Sequence, residues 1–241
     1  MPDAIFADSR LALIYDQFEG ARKDLLAYID LADELDAETV LDIGCGTGTL
    51  AVLLARAGRT VVAIDPAEAS LEVAKAKDAP PGITWLHGDA TDVPATGADL
   101  AVMSGNVAQV FVTDHEWSNA LNAIGRALRP GGHLVFETRR PERRAWEDWA
   151  RTGPVVRDVL GVGRVEQRLD GTAVRLPLVS FRHTYTFAPD RAVIVSESTL
   201  RFRHRAEIEA DLLAHGYRVR DVRDAPDRPG REFVFIADKT S

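Results

Sequence analysis

The sequence predicts an α/β fold built on an open parallel sheet with helices on both faces. Three observations predict it: five short apolar runs separated mainly by helical segments across residues 39–139, three glycines packed between the first run and its helix, and period-two patterning after Pro141. Parallel neighbours are joined by right-handed crossovers, usually helical, which bury both faces of the sheet. A chain of 241 residues with an apolar fraction of 46% is large enough for one core carrying an inserted subdomain.

The elements follow in order. Residues 9–35 place Leu11, Ile14, Tyr15, Phe18, Leu25, Leu26 and Ile29 near helical spacing, and Gly20 divides them into two helices, the first placed to act as a lid. The run 39–44 ends in glycines and leads into a helix over 49–58 that stops at Gly58. The unit recurs as strand 60–65 with helix 68–77, strand 83–89 with a loop, and strand 98–105 with helix 115–128. The turn Arg129-Pro130-Gly131-Gly132 then precedes a strand at 133–139.

Between residues 155 and 203 the alternation of Phe181, His183, Tyr185, Phe187 and of Ile194, Ser196, Ser198, Leu200, Phe202 predicts antiparallel strands, with Ala188-Pro189-Asp190-Arg191 as a hairpin turn. Helix returns at 205–215, stops at Gly216, and gives way to strands near 217–223 and 232–237.

Composition narrows the function. No apolar run reaches the 18 residues a membrane-spanning helix requires, and the N-terminal segment, with Asp3 and Asp8, does not read as a secretory signal, so neither a membrane nor export is expected and the cytoplasm is the expected location. One cysteine, Cys45, excludes an internal disulfide framework and a thiolate-rich zinc site. The formal charge of −8 argues against broad attraction to nucleic acid or anionic lipid. It divides unevenly: residues 1–138 carry 9 basic and 21 acidic side chains, residues 139–241 carry 20 and 16.

Gly44, Gly46 and Gly48 sit between a buried strand and a helix, where missing Cβ atoms let the chain turn sharply and let a ligand lie against backbone. The spacing is G-x-G-x-G. The dinucleotide fingerprint needs glycine where Thr49 stands, and no G-K-[ST] follows for a phosphate-binding P-loop. Asp65 closes the second strand 17 residues after Gly48, where a carboxylate can accept both hydroxyls of a ribose. Asp42 precedes the glycines, placed to order the turn or face a cationic ligand, and Asp89 ends the third strand, placed to accept from an adenine amino group. Three carboxylates at strand ends are poor company for phosphates and suit an adenosine bearing positive charge.

These segments resemble a family. VLDIGCGTGTL, VVAIDPAEASLEVAK, HGDATDVP, ADLAVMSGNVAQVF and LRPGGHLVFETR are similar, in order, to the motifs of class I S-adenosylmethionine-dependent methyltransferases, over roughly residues 38–139. The resemblance implies a Rossmann-like doubly wound sheet of order 3-2-1-4-5-7-6 with the last strand antiparallel. It implies a core of residues 1–140 and 205–241, and an antiparallel β insertion, residues 141–204, roofing the substrate site. It further implies S-adenosyl-L-methionine as cofactor and S-adenosyl-L-homocysteine as product.

Carried over by position, Gly44, Cys45 and Gly46 would approach the methionine part, Asp65 the ribose, and Asp89 and Ala90 the adenine. Ser104, Gly105 and Asn106 would line the methyl-transfer site, and Tyr15 resembles the tyrosine that covers the cofactor in small-molecule members. A tyrosine at helical spacing with Leu11 and Phe18 is equally what a core position looks like. Ser104-Gly105-Asn106-Val107 departs from the Asn/Asp-Pro-Pro-aromatic motif of many base and protein N-methyltransferases. The expected acceptor is therefore a nitrogen or oxygen of a small molecule. A protein that binds the cofactor without turnover is the alternative, with an RNA or protein methyltransferase behind it. Residues 225–237, APDRPGREFVFIA, also resemble the ending of a bacterial subset of these enzymes.

No His/Asp/Glu cluster has metal-ligand spacing, so no metal is expected. Among the histidines His183, on a strand face with Tyr185, is the candidate base, although a histidine flanked by Phe181 and Phe187 also reads as packed. Arginines crowd at 139, 140, 143 and 144 and at 201, 203 and 205, as clamps for an anionic acceptor or as partners of Glu142, Glu147, Glu197 and Glu207. Trp146 and Trp149 lie three apart, placed to cover an acceptor or to pack their helix.

Overall fold

A computed structural model describes residues 2–240. The chain opens with α1 (Ala4–Ala7), α2 (Ser9–Glu19) and, after a 3-10 turn, α3 (Leu26–Glu34). Then follow β1 (Thr39–Ile43), α4 (Thr49–Arg56), β2 (Thr60–Asp65), α5 (Glu68–Lys75), β3 (Ile83–His87), β4 (Ala98–Met103), α6 (Asp114–Ala127) and β5 (Leu128–Arg139). After α7 (Ala145–Arg151) come β6 (Val155–Val159), β7 (Gly163–Arg175), β8 (Leu178–Phe187) and β9 (Val193–Arg201). The chain closes with α8 (Arg205–Ala214), β10 (Tyr217–Asp224) and β11 (Glu232–Lys239).

Seven strands form one sheet in the order β10-β11-β5-β4-β1-β2-β3. The pairs β1–β2, β1–β4, β2–β3 and β4–β5 are parallel, and β11 runs antiparallel to both β5 and β10. This is the order the resemblance implies, with β10 and β11 as its sixth and seventh strands. Alternation along the strands splits the core into two faces. Leu41, Met103, Leu134, Phe136 and Phe235 meet α6 and α8 through Trp117, Leu121, Ile124, Ile208 and Leu212. Val40, Val102, Val135, Val234 and Ile236 meet α3 and α4 through Tyr28, Leu31, Leu50 and Leu54.

Local chemistry sets the helix starts. Asp8 caps α2 by accepting from the backbone N–H of Arg10 and Leu11 at 2.9 and 3.2 Å. Thr113 and Glu116 form a reciprocal capping box on α6. Gly20, at φ 70°, ends α2 and turns the chain toward α3, as the sequence reading expects.

The segment that reads as a turn, Arg129–Gly132, instead belongs to β5, which begins at Leu128 opposite Ala98. The reason is crowding: a Cβ on Gly132 would lie 3.0–3.2 Å from the carbonyl oxygens of Arg129, Ala98 and Asp99. The glycine there permits close strand approach as well as a bend.

A separate antiparallel sheet, β6-β7-β8-β9, occupies the stretch between β5 and α8. The hairpin after Phe187 forms, with Ala192 donating to Asp190 within it at 3.1 Å. Helix α2 is wedged between the two sheets: Leu11 and Ile14 pack with Val159, Val165, Tyr185 and Phe187, while Phe6, just before it, accepts a hydrogen bond from Ser70 on α5. The first helix is thus a packed strut. Trp146 and Trp149 of α7 pack on Phe202, and Trp149 also meets Phe181.

Candidate active site

The carboxyl ends of β1, β2 and β4 converge on the glycine turn, the place where open α/β sheets bind ligands. Gly44 and Cys45 donate backbone N–H bonds to the Ile64 carbonyl at 2.9 and 3.1 Å, which ties the turn to β2. All three glycines lie at positive φ, 69°, 53° and 76°. A Cβ on Gly44 would come within 2.7 Å of a Val107 methyl, so this glycine lets the loop after β4 close onto the turn. A Cβ on Gly48 would strike Trp85 and Ala74 at 2.5 and 2.8 Å. Gly46 has no atom within 4 Å of that position and presents bare backbone to the crevice.

Asp65 binds that backbone. Its Oδ2 accepts from Gly46 N–H at 2.7 Å and its Oδ1 from Ala67 N–H at 2.8 Å, while burial still raises its pKa. Asp42, fully buried beside it, faces the Ala51 backbone N–H and has no side-chain hydrogen-bond partner among the described residues. Burial first, then repulsion from Asp65, pushes its carboxyl up to about 7, with partial relief from the Ala51 backbone and Arg22. The same burial raises the Cys45 thiol well above its ordinary range, so it stays a neutral packing group.

Tyr15 meets Phe6 in a tilted pair with ring centroids 5.5 Å apart and is raised in pKa by burial and by Glu19. Its neighbour Asp16 joins α2 to the glycine turn, accepting from Thr47 Oγ1 at 2.5 Å and from Lys77 at 2.6 Å. Asp89 is exposed and committed to its own turn, accepting from Thr91 N–H and Oγ1 at 2.7 and 2.6 Å, while Ala90 behind it is buried in the core. Ser104 and Gly105 follow β4 at the rim. Asn106, at φ 64° and 3% exposed, turns inward. His183 sits away from the turn in the second sheet, between Phe181 and Tyr185, and burial lowers its pKa.

The structure assembles a second layer around Asn106 and Arg139 whose two glutamates the sequence reading missed. Asn106 Nδ2 donates to Glu232 at 3.2 Å and Glu137 at 3.5 Å, two carboxylates that are each 2% exposed. Arg228 reaches Glu232 at 3.0 Å, and Arg139 lies 3.7 Å from it. Arg139 also donates to Gln109 at 3.0 Å and lies over the Trp149 ring at 5.1 Å. Arg22, paired with Asp24 at 2.8 Å, reaches within 3.8 Å of where a Gly105 side chain would begin. Glutamates at inward positions of β5 and β11 are the one sequence signal for this layer, visible once the register pairs Glu232 with Arg139.

The other arginines are structural ties. Arg140 pairs with Asp224, Arg143 donates to the Gly230 carbonyl at 2.7 Å, and Arg144 pairs with Glu147 at 2.7 Å. Arg201 bridges Asp114 and Glu207 at 2.7 and 2.9 Å, Arg203 donates to the Phe111 carbonyl at 2.8 Å, and Arg205 pairs with Glu209. Among the described residues no group of three or more His, Cys, Asp or Glu is placed to hold a metal, and no helix is long and apolar enough to cross a membrane.

The arrangement can hold an adenosine-type ligand against Gly46 and Asp65 and present a second reactant near Asn106. Comparison with known proteins bears on it directly. A family model described as "Methyltransferase domain" matches residues 40–132. The cypemycin N-terminal methyltransferase of a Streptomyces species is 29% identical over 186 residues, covering 75% of this chain and 76% of that protein. Relatives above 30% identity include uncharacterised methyltransferases from Oceanobacillus iheyensis and Mycobacterium tuberculosis, of which the chain spans about half the length, 47% and 51%.

Solved structures share the fold across nearly the whole chain. An S-adenosylmethionine-dependent methyltransferase from Clostridium acetobutylicum gives a TM-score of 0.77 at 16% identity, covering 96% of this chain and 98% of that one. A sugar N-methyltransferase from Streptoalloteichus gives 0.77 at 18% identity, covering 94% and 93%. With the ordered motifs and the strand order in agreement, residues 40–132 match a methyltransferase domain and the whole chain has the fold of the S-adenosylmethionine-dependent methyltransferases.

Proposed function

We propose that the chain transfers the methyl group to a nitrogen of a small-molecule acceptor, with the cofactor lying along Gly44, Cys45 and Gly46. The observation that carries the reading is the Gly46–Asp65 pairing at 2.7 Å beside an open glycine backbone. The residues fit the cofactor: Gly46 leaves room where a side chain would stand, and the crowded Asp42 and Asp65 carboxyls behind the turn disfavour a phosphate, while a cationic ligand relieves the repulsion that helps to raise Asp42 to about 7. Bound S-adenosylmethionine supplies a methyl group on a positively charged sulfur.

What remains for the chain is to bind, orient and exclude water. Asp65 takes the ribose hydroxyls while keeping its backbone bonds, since each carboxylate oxygen has a second lone pair. Asp89 and Ala90 border the adenine, and Tyr15 closes over the sugar side. Ser104, Gly105 and Asn106 set the height of the acceptor at the end of β4. Positioning of this kind is worth ~7–11 kcal/mol when the reacting atoms are held ~3–3.5 Å apart.

The second sheet, with Trp149, Phe181, His183 and Tyr185 in one aromatic row, roofs the acceptor in this reading. His183 has its pKa lowered by burial and lies in that row, where it serves as wall more than as base. Nitrogen is favoured over oxygen by the names of two of the proteins above, one an N-terminal and one a sugar N-methyltransferase. The test is release of S-adenosylhomocysteine by purified protein with panels of small amines and alcohols. Turnover on an amine is expected. Tight cofactor binding with no turnover on either panel would support the non-catalytic alternative.

A further inference from the structure

Two buried acids hold the loop that leaves β4. Asn106 stands there at φ 64°, a left-handed conformation that asparagine tolerates and most residues do not. Its Nδ2 donates to Oε1 of Glu232 at 3.2 Å and to Oε1 of Glu137 at 3.5 Å, and all three residues are 2–3% exposed. Two carboxylates on one side leave the amide a single orientation, nitrogen toward them.

Burying two carboxylates side by side is costly, and the fold compensates them. Arg228 lies 3.0 Å from Glu232 and 3.8 Å from Glu137, Arg139 lies 3.7 Å from Glu232, and the Tyr28 hydroxyl hydrogen-bonds Glu137. Burial, and then repulsion from Glu232, still raises the Glu137 carboxyl. The sheet does not depend on these side chains, because its ladder runs through the backbone, with Glu232 opposite Arg139 and Val234 opposite Glu137. What the two side chains hold in common is Asn106.

Beyond Asn106 the chain makes one 3-10 turn, Val107–Gln109, tied at both ends. Gln109 N–H donates to the Asn106 carbonyl at 3.0 Å. The Gln109 side chain, 1% exposed, accepts from Arg139 at 3.0 Å and donates to the Arg201 carbonyl of β9 at 3.2 Å. Between these anchors Val107 fills the volume that a Gly44 side chain would need, a methyl lying 2.7 Å from that Cβ position. The loop therefore bears on the cofactor turn with one residue and on the buried acids with the residue before it.

We propose that Glu232 and Glu137 are positioning residues for the methyl-transfer end of the cofactor: through the Asn106 amide they hold the loop after β4 against Gly44, without touching either reactant. The inference rests on the cofactor placement above and adds to it what fixes that wall of the pocket. The hydrogen bond is the working part, and the charge is not. Oε1 of Glu232 takes both Asn106 and Arg228, while Oε2 has no hydrogen-bond partner among the described residues. Glu232→Gln can therefore set its amide nitrogen at the Oε2 position and keep the oxygen that Asn106 needs. Asn106→Gly keeps the left-handed backbone and cuts the clamp.

The test is calorimetric titration with S-adenosylhomocysteine of wild type, Asn106→Gly and Glu232→Gln, each shown by urea denaturation to be fully folded under the assay conditions. Asn106→Gly should weaken the ligand at least about fivefold, and Glu232→Gln should stay within about twofold of wild type. A merely structural role would leave every fully folded variant binding as wild type does. Wild-type affinity in folded Asn106→Gly, or an equal loss in both variants, would overturn the proposal. Hydrogen exchange of the wild-type protein covers a variant that does not fold. There S-adenosylhomocysteine should slow exchange across residues 104–110 at least about fivefold, and no change would overturn the proposal as well. Wild type that fails to bind S-adenosylhomocysteine at all would remove the cofactor placement itself, so the two failures are distinguishable.

Discussion

Asp42→Asn is the most informative single perturbation of the cofactor turn. The carboxyl is fully buried, has no side-chain hydrogen-bond partner among the described residues, and is pushed up to about 7 from an ordinary value of 3.8. A raised acid favours the folded state only while protonated. Its contribution is complete below the unfolded value, declines as the unfolded chain ionises above pH 3.8, and is gone above the folded value near pH 7. A gap of about three units at ~1.36 kcal/mol each amounts to about 4 kcal/mol of stability lost across that window.

Asparagine cannot ionise, so the variant lacks this slope. It carries a pH-independent cost of about 1–3 kcal/mol for its unpaired amide, which makes the change with pH the quantity to read. Urea denaturation followed by circular dichroism, from pH 4 to pH 8, measures both proteins. The stability of the variant relative to wild type should rise by up to about 4 kcal/mol between pH 4 and pH 7 and then level off. Parallel curves for the two proteins would refute the reasoning, because Asp42 would then titrate alike in the folded and unfolded chain.

The two glycines of the turn separate folding from binding. Gly44→Ala combines a left-handed residue at φ 69° with a Cβ placed 2.7 Å from Val107, so it should lower stability by about 1–3 kcal/mol and cofactor affinity together. Gly46→Ala meets no protein atom within 4 Å and should cost less stability, yet weaken S-adenosylhomocysteine by at least about tenfold in calorimetry; wild-type affinity there would place the ligand elsewhere. Trp149→Ala removes contacts to Phe181, Phe202 and Arg139. It should raise the acceptor KM while leaving cofactor affinity unchanged, at a stability cost of about 2–3 kcal/mol, below that of a fully buried tryptophan. Equal loss of acceptor and cofactor binding would remove the roof assignment.

The sheet and the glycine turn were legible because their signals are local. Apolar runs, helical spacing and three glycines in five residues are each set within a few positions, and all seven strands lie near their expected places. The start of β5 was not legible, since Arg129-Pro130-Gly131-Gly132 has turn composition while Gly132 serves to bring carbonyls of β4 close. The strands of the second sheet were legible in kind but not in number: β7 runs 13 residues past a register shift between Leu169 and Gly171 that breaks the period-two signal.

The buried layer behind Asn106 was hidden for a different reason. Glu137 and Glu232 are 95 positions apart and meet only because β11 inserts antiparallel beside β5, a long-range pairing with no local mark. The arginine clusters read either as anion clamps or as partners of nearby glutamates, and the second reading holds for Arg144 with Glu147 and Arg201 with Glu207, while Arg140, Arg143 and Arg203 spend donors on Asp224, a glycine carbonyl and the loop before α6. Sequence proximity gathered charges that the fold then dispersed.

We place adenosine at the tip of β2, with its sugar on Asp65 and its amino-acid tail along Gly44–Gly46. A crystal structure of the protein with S-adenosylhomocysteine tests it most directly. Both ribose hydroxyls should lie within hydrogen-bonding distance of the Asp65 carboxylate, with the homocysteine chain against the Gly46 backbone. Ligand density elsewhere on the molecule, or a ribose turned away from Asp65, would contradict it.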